Sequence, residues 1–256
     1  MFKFLKSKRF LIYFFSAGAA VLFFIIGFYI SGNYQKIARA AIQELGGFAW
    51  SARPVPFGTD LGGPGWISFN CLDGGVCATS NYRVVYDDVS GLMSGYAWSG
   101  QQCPNTPPGD PCRVGIGWIN FSPSSPYPDG AGAARINLST GSVTGWARAC
   151  AVFQSGCMGA LKPNYERGGW DGWIKMAGTA TDGSPYGLRF DNTLGVFLQG
   201  TAVNPYFAWG SDVIGWINFC VTPGTIMCVG KVGGALPPIP PATTTPPGGR
   251  IEIPPY

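Results

Sequence analysis

An all-β fold, made of tandem antiparallel three-stranded repeats behind one N-terminal transmembrane helix, is what this sequence predicts. Three observations lead there. A glycine–tryptophan–isoleucine strand recurs four times, in "GPGWISF", "VGIGWINF", "WDGWIKM" and "SDVIGWINF". Glycine (39) and proline (22) are abundant while charged residues make up only 12%, which suits short strands and turns better than surface helices. An uncharged apolar run lies close to the N-terminus.

That run covers residues 10–30, 21 positions without a charge. As a helix it would span roughly 31 Å, close to the ~30 Å thickness of a bilayer core. Residues 1–9 form a basic tail with Lys3, Lys6, Lys8 and Arg9, and Lys36 and Arg39 follow the run. The excess of positive charge before the run keeps that tail cytoplasmic and sends the rest outward. A signal-anchor is favoured, and a signal peptide cleaved near Ala40 is the competing reading. The helix is expected to extend to residue 45, ended by Gly46 and Gly47. A pilin-like outline is also conceivable, but no acid precedes Glu44. The first 40 residues hold six basic groups and no acid, and the rest of the chain has 11 basic and 13 acidic groups, so the net charge of +4 implies no basic surface for nucleic acid.

Residues 46–232 read as the repeat domain, with a unit of about 50 residues. Each unit has three segments. A period-2 run comes first: "YRVVYD", "ARINLS" or "YGLRFD". A polar turn follows, then "SGYAWS", "TGWARA" or "YFAWGS", and finally the "GWI" strand. An incomplete copy opens the array, and "CVGKV" begins a fifth copy or supplies the strand missing from the first. Alternation assigns the faces. Ile67, Ile119, Ile174 and Ile217, with Phe69, Phe121, Met176 and Phe219, form a buried face. Trp66, Trp118, Trp173 and Trp216 share the other face with Ser68, Asn120, Lys175 and Asn218. Glycine before tryptophan is expected to let a neighbouring ring or backbone approach. One unit is too thin to bury its apolar face, so neighbours must cover one another, as a closed propeller-like ring or a linear stack.

Eight cysteines form four local pairs: Cys71 with Cys77, Cys103 with Cys112, Cys150 with Cys157, and Cys220 with Cys228. An even count in an exported domain points to disulfides, and no pair has the CxxC spacing usual for zinc or redox dithiols. Residues 233–256 form a Pro/Thr-rich extended tail.

"YAWS", "GWISFN" and "GWINF" in tandem behind one hydrophobic segment resemble the tryptophan-rich exported repeat proteins predicted in genomes of candidate-phyla (Patescibacteria-type) bacteria. The resemblance covers roughly residues 48–219 and implies a surface or envelope protein. It carries over no catalytic or binding residue. The third copy departs from the pattern, with Arg148 in the place of Trp50, Trp98 and Trp209.

The chain has no histidine, which removes the serine–histidine–aspartate arrangement and imidazole ligands. Asp87, Asp88, Asp171, Asp191, Asp212 and Glu166 are the carboxylates an enzyme would need, and their neighbours suit turns better. No catalytic, cofactor-binding or metal-ligating residue is therefore assigned. A structural calcium ion is left open at "YPDGAG" or "TDGSPYG". The expected role is structural or adhesive and non-catalytic, in a single-pass protein of the cell envelope. The membrane, cell-wall glycan, or a host or neighbouring-cell surface are its expected partners. Carbohydrate binding through Trp66, Trp98, Trp118, Trp173 and Trp216 is the first alternative, and a carboxylate-dependent glycan hydrolase the second. The unequal loops 51–65, 100–117 and 149–172 are the favoured contact region.

Overall fold

The computed structural model describes residues 41–52, 64–100, 115–201, 203–221 and 227–233. The apolar run, the basic tail, the Pro/Thr-rich segment and the Cys103–Cys112 pair lie outside them. Among the described residues no helix is long and apolar enough to cross a membrane.

Strands alternate with tight turns along the chain. The first are β1 (Ile42–Gly46), β2 (Phe48–Ala52), β3 (Gly65–Ser68), β4 (Val84–Asp87), β5 (Met93–Ser99) and β6 (Gly117–Asn120). Then come β7 (Arg135–Ile136), β8 (Val143–Thr144), β9 (Trp146–Ala149), β10 (Trp173–Lys175), β11 (Ala177–Thr179) and β12 (Pro185–Gly187). The last are β13 (Phe190–Asp191), β14 (Val196–Phe197), β15 (Phe207–Trp209), β16 (Trp216–Asn218), β17 (Cys220–Val221), β18 (Met227–Cys228) and β19 (Gly230–Lys231). Single-turn helices occupy Asn164–Arg167 and Ser211–Ile214.

Eight of these strands close an antiparallel barrel. Its order is β2, β3, β5, β6, β9, β10, β15 and β16, with β16 returning to β2. Each "AWS" segment pairs with the "GWI" strand that follows it, so the barrel consists of four hairpins joined edge to edge. Closure therefore takes the form of one continuous barrel rather than separate propeller blades or a linear stack. A closed sheet leaves no unpaired edge to recruit another chain.

Seven of the remaining strands form a second circuit with β5, while β11–β12 and β17–β18 are separate two-stranded sheets. β1 pairs with β4, β4 with β5, β7 with β8, β13 with β14, β14 with β19, and β19 with β1. Isolated bridges from Leu92 to Arg135 and from Ser142 to Arg189 complete it. β5 belongs to both circuits, and β1 leads into β2 through Gly47 as β8 leads into β9 through Gly145.

One expectation is corrected. Residues 42–45 do not extend a helix; they lie in β1. "IQEL" has helical propensity, but β4 and β19 offer it a partner on both edges, and Leu45 is fully buried. Tertiary pairing outweighs a local preference worth a few tenths of a kcal/mol per residue.

The interior is filled in layers. Ala49, Ala97, Ala147 and Ala208 lie with Ile67, Ile119, Ile174 and Ile217. Phe69, Phe121, Met176 and Phe219 form the next layer, and Leu45, Met93, Val143 and Phe197 another. Val84, Ala134, Leu188 and Val229 complete the second circuit's share. All of these are at most 2% exposed, so the face assignment made from alternation holds for the four isoleucines and for Phe69, Phe121, Met176 and Phe219. Glycine before tryptophan has a further cause besides the one expected. Gly65 and Gly117 have φ of 72° and 70°, and a side chain there would meet Trp50 or Trp98 only at ordinary contact distance. Left-handed backbone at the loop end asks for glycine at these two, whereas at Gly172 the expected close approach also holds, since a Cβ would lie 2.9 Å from the Ala149 carbonyl oxygen.

Corresponding turns carry corresponding hydrogen bonds. Asp87 Oδ1 accepts from the Val89 and Ser90 amides, Asn137 Oδ1 from Ser139 and Thr140, and Asp191 Oδ1 from Thr193 and Leu194. These three turns lie at one pole, beside the start of β1 at Ile42. The connections 149–173 and 209–216 leave the strand ends farthest from those turns.

Candidate functional site

The outer face of the barrel carries the repeated aromatics as cross-strand pairs. Trp50 stands opposite Trp66, Trp98 opposite Trp118, and Trp209 opposite Trp216. Ring centroids are 4.7, 4.6 and 4.5 Å apart with planes inclined at 68°, 61° and 52°. Inclined pairs of this kind satisfy the quadrupoles of both rings and contribute about 0.5–1.5 kcal/mol each beyond their burial. The pairs are distributed around the barrel, so Trp66, Trp98, Trp118, Trp173 and Trp216 share its outer surface without forming one flat row.

Tyrosines from other segments cap three of the four "GWI" indoles. Tyr82 meets Trp118 at 5.2 Å, Tyr127 meets Trp173 at 5.7 Å, and Tyr186 meets Trp216 at 4.9 Å. Trp98, Trp118, Trp173 and Trp216 are consequently half-buried. Trp66 has Phe48 and Trp50 beside it and no tyrosine among the described residues; it is 38% exposed, and Tyr96 is 40% exposed. Burial pushes the Tyr186 phenol up to about 12, with a smaller contribution from the Asp129 charge. Burial likewise raises Tyr82, against the lowering effect of its hydrogen bond to Ser68.

The third hairpin solves the same packing problem with charge. Arg148 stands opposite Trp173, its Cζ 4.2 Å from that ring and 4.7 Å from the Phe153 ring. Its Nε donates to the Asp171 carbonyl at 2.9 Å. A cation over two rings replaces the indole pair. Beside it, Asp129 accepts from Trp146 Nε1 at 2.7 Å and pairs with Lys175 at 2.9 Å. The indole hydrogen bond first, then Lys175, holds the Asp129 carboxyl near 2, below its ordinary 3.8.

A folded value below the unfolded one means that Asp129 stabilises the fold above pH ~4, and the contribution is lost as pH falls through about 2. The expected result is a melting-temperature gap between the native protein and Asp129→Asn that is full at pH 5 and closes towards pH 2. A gap that stays constant over that range would show that the carboxylate does not support the fold electrostatically.

Sequence reasoning missed Asp73. Its Oδ1 accepts from the Gly47 amide at 2.7 Å, and its Oδ2 from the Phe69 and Asn70 amides and the Ser68 hydroxyl. Asn70, only 1% exposed, caps the following turn by accepting from Leu72 and donates to the Leu45 carbonyl. The signal was present as "NCLD", the spacing of a reciprocal capping box. Ser68 and Asn120, expected on a half-covered surface, are buried at 8% and 7%.

Other carboxylates take local partners. Asp87 and Asp191 serve their turns, Asp171 pairs with Arg167, Asp88 accepts from Gln43, and Asp182 accepts from Ser184. Glu166 and Asp212 lie in the single-turn helices. Asp129 and Asp182, the two aspartates considered for calcium, are thus held by protein donors. Among the described residues no three His, Cys, Asp or Glu side chains gather to hold a metal ion. Disulfides join Cys71 to Cys77, Cys150 to Cys157 and Cys220 to Cys228, leaving no free cysteine among the described residues.

Against this geometry the comparisons add nothing: no protein-family model, no curated protein and no solved structure matches the chain.

Proposed function

We propose that the protein is a non-catalytic scaffold of the cell surface or envelope, structural or adhesive in role, anchored through residues 10–30 with its barrel exported. Its four hairpins are copies of one three-stranded unit, in the manner of the tryptophan-rich exported repeat proteins it resembles. What carries the reading is where the polar chemistry goes. The barrel interior is apolar but for Ser51 and Ser99, with Ser51 donating to the Ile214 carbonyl, and most described carboxylates are engaged by turn amides, an indole or a neighbouring cation. Local disulfides favour an oxidising compartment. The long described connection 149–173 leaves the end of the barrel opposite the start of β1, which makes that end the contact surface and the barrel its support.

The test grafts the last hairpin's short "GSDVI" connection in place of 150–172. The near-UV spectrum of the indole pairs is expected to persist, while binding to isolated cell-wall sacculi and intact cells falls at least tenfold. Undiminished binding by a folded graft would overturn the adhesive role.

Exposure of Trp66 and Tyr96 favours one second reading, a carbohydrate-binding surface. It expects a glycan pull-down to fail with Trp66→Ala, and with Trp118→Ala or Trp173→Ala. A pull-down unaffected by all three leaves the loop pole as the contact surface.

A further inference from the structure

The second circuit closes through β19, a strand with no tight turn to either of its partners. β4, β7 and β13 each run through a tight turn into the next strand, whereas β19 comes from the C-terminal side and is seated between β14 and β1. The seat is specific. Val229 is fully buried in the core, accepted there through its amide hydrogen bond to Phe219 and its carbonyl bond from Phe197. Lys231 donates to Gly195 at 2.7 Å and Val232 to Glu44 at 2.9 Å. A Cβ at Gly230 would come within 2.7 Å of Val196 Cγ1, so a side chain at this position would force the neighbouring strand to shift.

A seat so closely fitted to Val229, Gly230 and Lys231 selects one sequence, and a second copy of this chain carries it. We propose that the groove between β14 and β1 is a strand-exchange site for the same strand of a second copy, and that the Cys220–Cys228 bridge keeps each strand in its own barrel. The bridge brings the Cα atoms of Cys220 and Cys228 within 3.9 Å, immediately after β16 and immediately before Val229. With it closed, the strand has no tether long enough to leave. With it open, the eight peptide units from Cys220 to Cys228 could extend to about 27 Å, enough to reach a neighbouring molecule. Exchange conserves every contact of the seat and gives up only the two-residue β17–β18 ladder, so opening the bridge removes the main barrier.

The experiment places cysteines at Glu44 and Val232, which face each other across β1 and β19, in the full chain. Under oxidation, a strand in its own barrel gives a cross-linked monomer, and an exchanged strand gives a covalent dimer of doubled mass. With the Cys220–Cys228 bridge intact, monomer is expected. With Cys220→Ser and Cys228→Ser, covalent dimer is expected to rise with protein concentration, while Cys71→Ser with Cys77→Ser stays monomeric, because β4 is tethered to β5. Should the serine variant fail to fold, an eight-residue Gly-Ser insertion between Phe219 and Cys220 supplies a similar reach of about 27 Å with the bridge kept, and covalent dimer is expected again. A folded serine or insertion variant that yields only cross-linked monomer at all concentrations overturns the proposal. Equal dimerisation by the Cys71/Cys77 variant does so as well.

Discussion

Replacing Gly91 by alanine is expected to destabilise the barrel by about 3 kcal/mol or more, while the same change at Gly130 costs about 1 kcal/mol. The two glycines share the left-handed backbone, with φ of 70° and 74°. The strain of giving alanine that conformation is therefore common to both. They differ in surroundings. Gly130 has nothing within 4 Å of an added Cβ, whereas at Gly91 the Cβ would fall inside the van der Waals envelope of the Ile136 carbonyl oxygen. Gly91 cannot retreat, because its amide donates to Asp87 at 2.7 Å and its carbonyl accepts from Ile136 at 2.9 Å. Relief must come from separating two strands of the second circuit. Urea unfolding followed by indole fluorescence measures both variants, and the difference between them isolates the contact from the conformational cost. Equal losses would mean that the turn is not pressed against the neighbouring strand.

Much of this fold was legible because period-2 alternation is a strong signal wherever one face is buried. Ile119 and Phe121 on one side and Trp118 and Asn120 on the other follow from the pleat alone. Alternation says which face a residue takes and nothing about which edges meet, so ring, stack and barrel all remained compatible with the same strands. The run "MSGYAWS" reads as one strand, and it is one, yet it pairs with β4 over its first half and β6 over its second. Nothing local marks that change of partner except Gly95 in its middle. The tyrosine caps were hidden for a related reason. Tyr82 and Tyr186 open the equivalent runs "YRVVYD" and "YGLRFD" and Tyr127 comes from outside the repeated segments, and only the folded barrel brings the three onto "GWI" indoles. At β1 the local signal pointed the wrong way, since glutamine, glutamate and leucine favour helix until two strand edges are there to pair with them.

The second large effect concerns the layer in which the two circuits share side chains. Truncating Phe219 to alanine is expected to cost about 3–5 kcal/mol, the range for removing a buried ring whose surroundings cannot collapse. Phe219 is 2% exposed, 4.9 Å from the Phe69 ring and 6.5 Å from Phe121, both of the eight-strand barrel. It is also 4.8 Å from Phe197 of the second circuit, so one ring fills the junction between them. The strands on all sides are tied by closed ladders, which prevents them from moving in to fill the void. Phe219→Leu keeps most of the volume and is expected to cost less than half as much. Met176 occupies the fourth corner of the same layer, and Met176→Leu, a volume-conserving change of an adaptable side chain, is expected to stay under about 1.5 kcal/mol. Denaturant midpoints should fall in the order Met176→Leu, Phe219→Leu, Phe219→Ala with an unchanged slope, since the same surface is exposed on unfolding. A Phe219→Ala variant within 1 kcal/mol of the native protein, with that slope retained, would mean that the rings do not pack across the barrel and that the two circuits are stabilised independently.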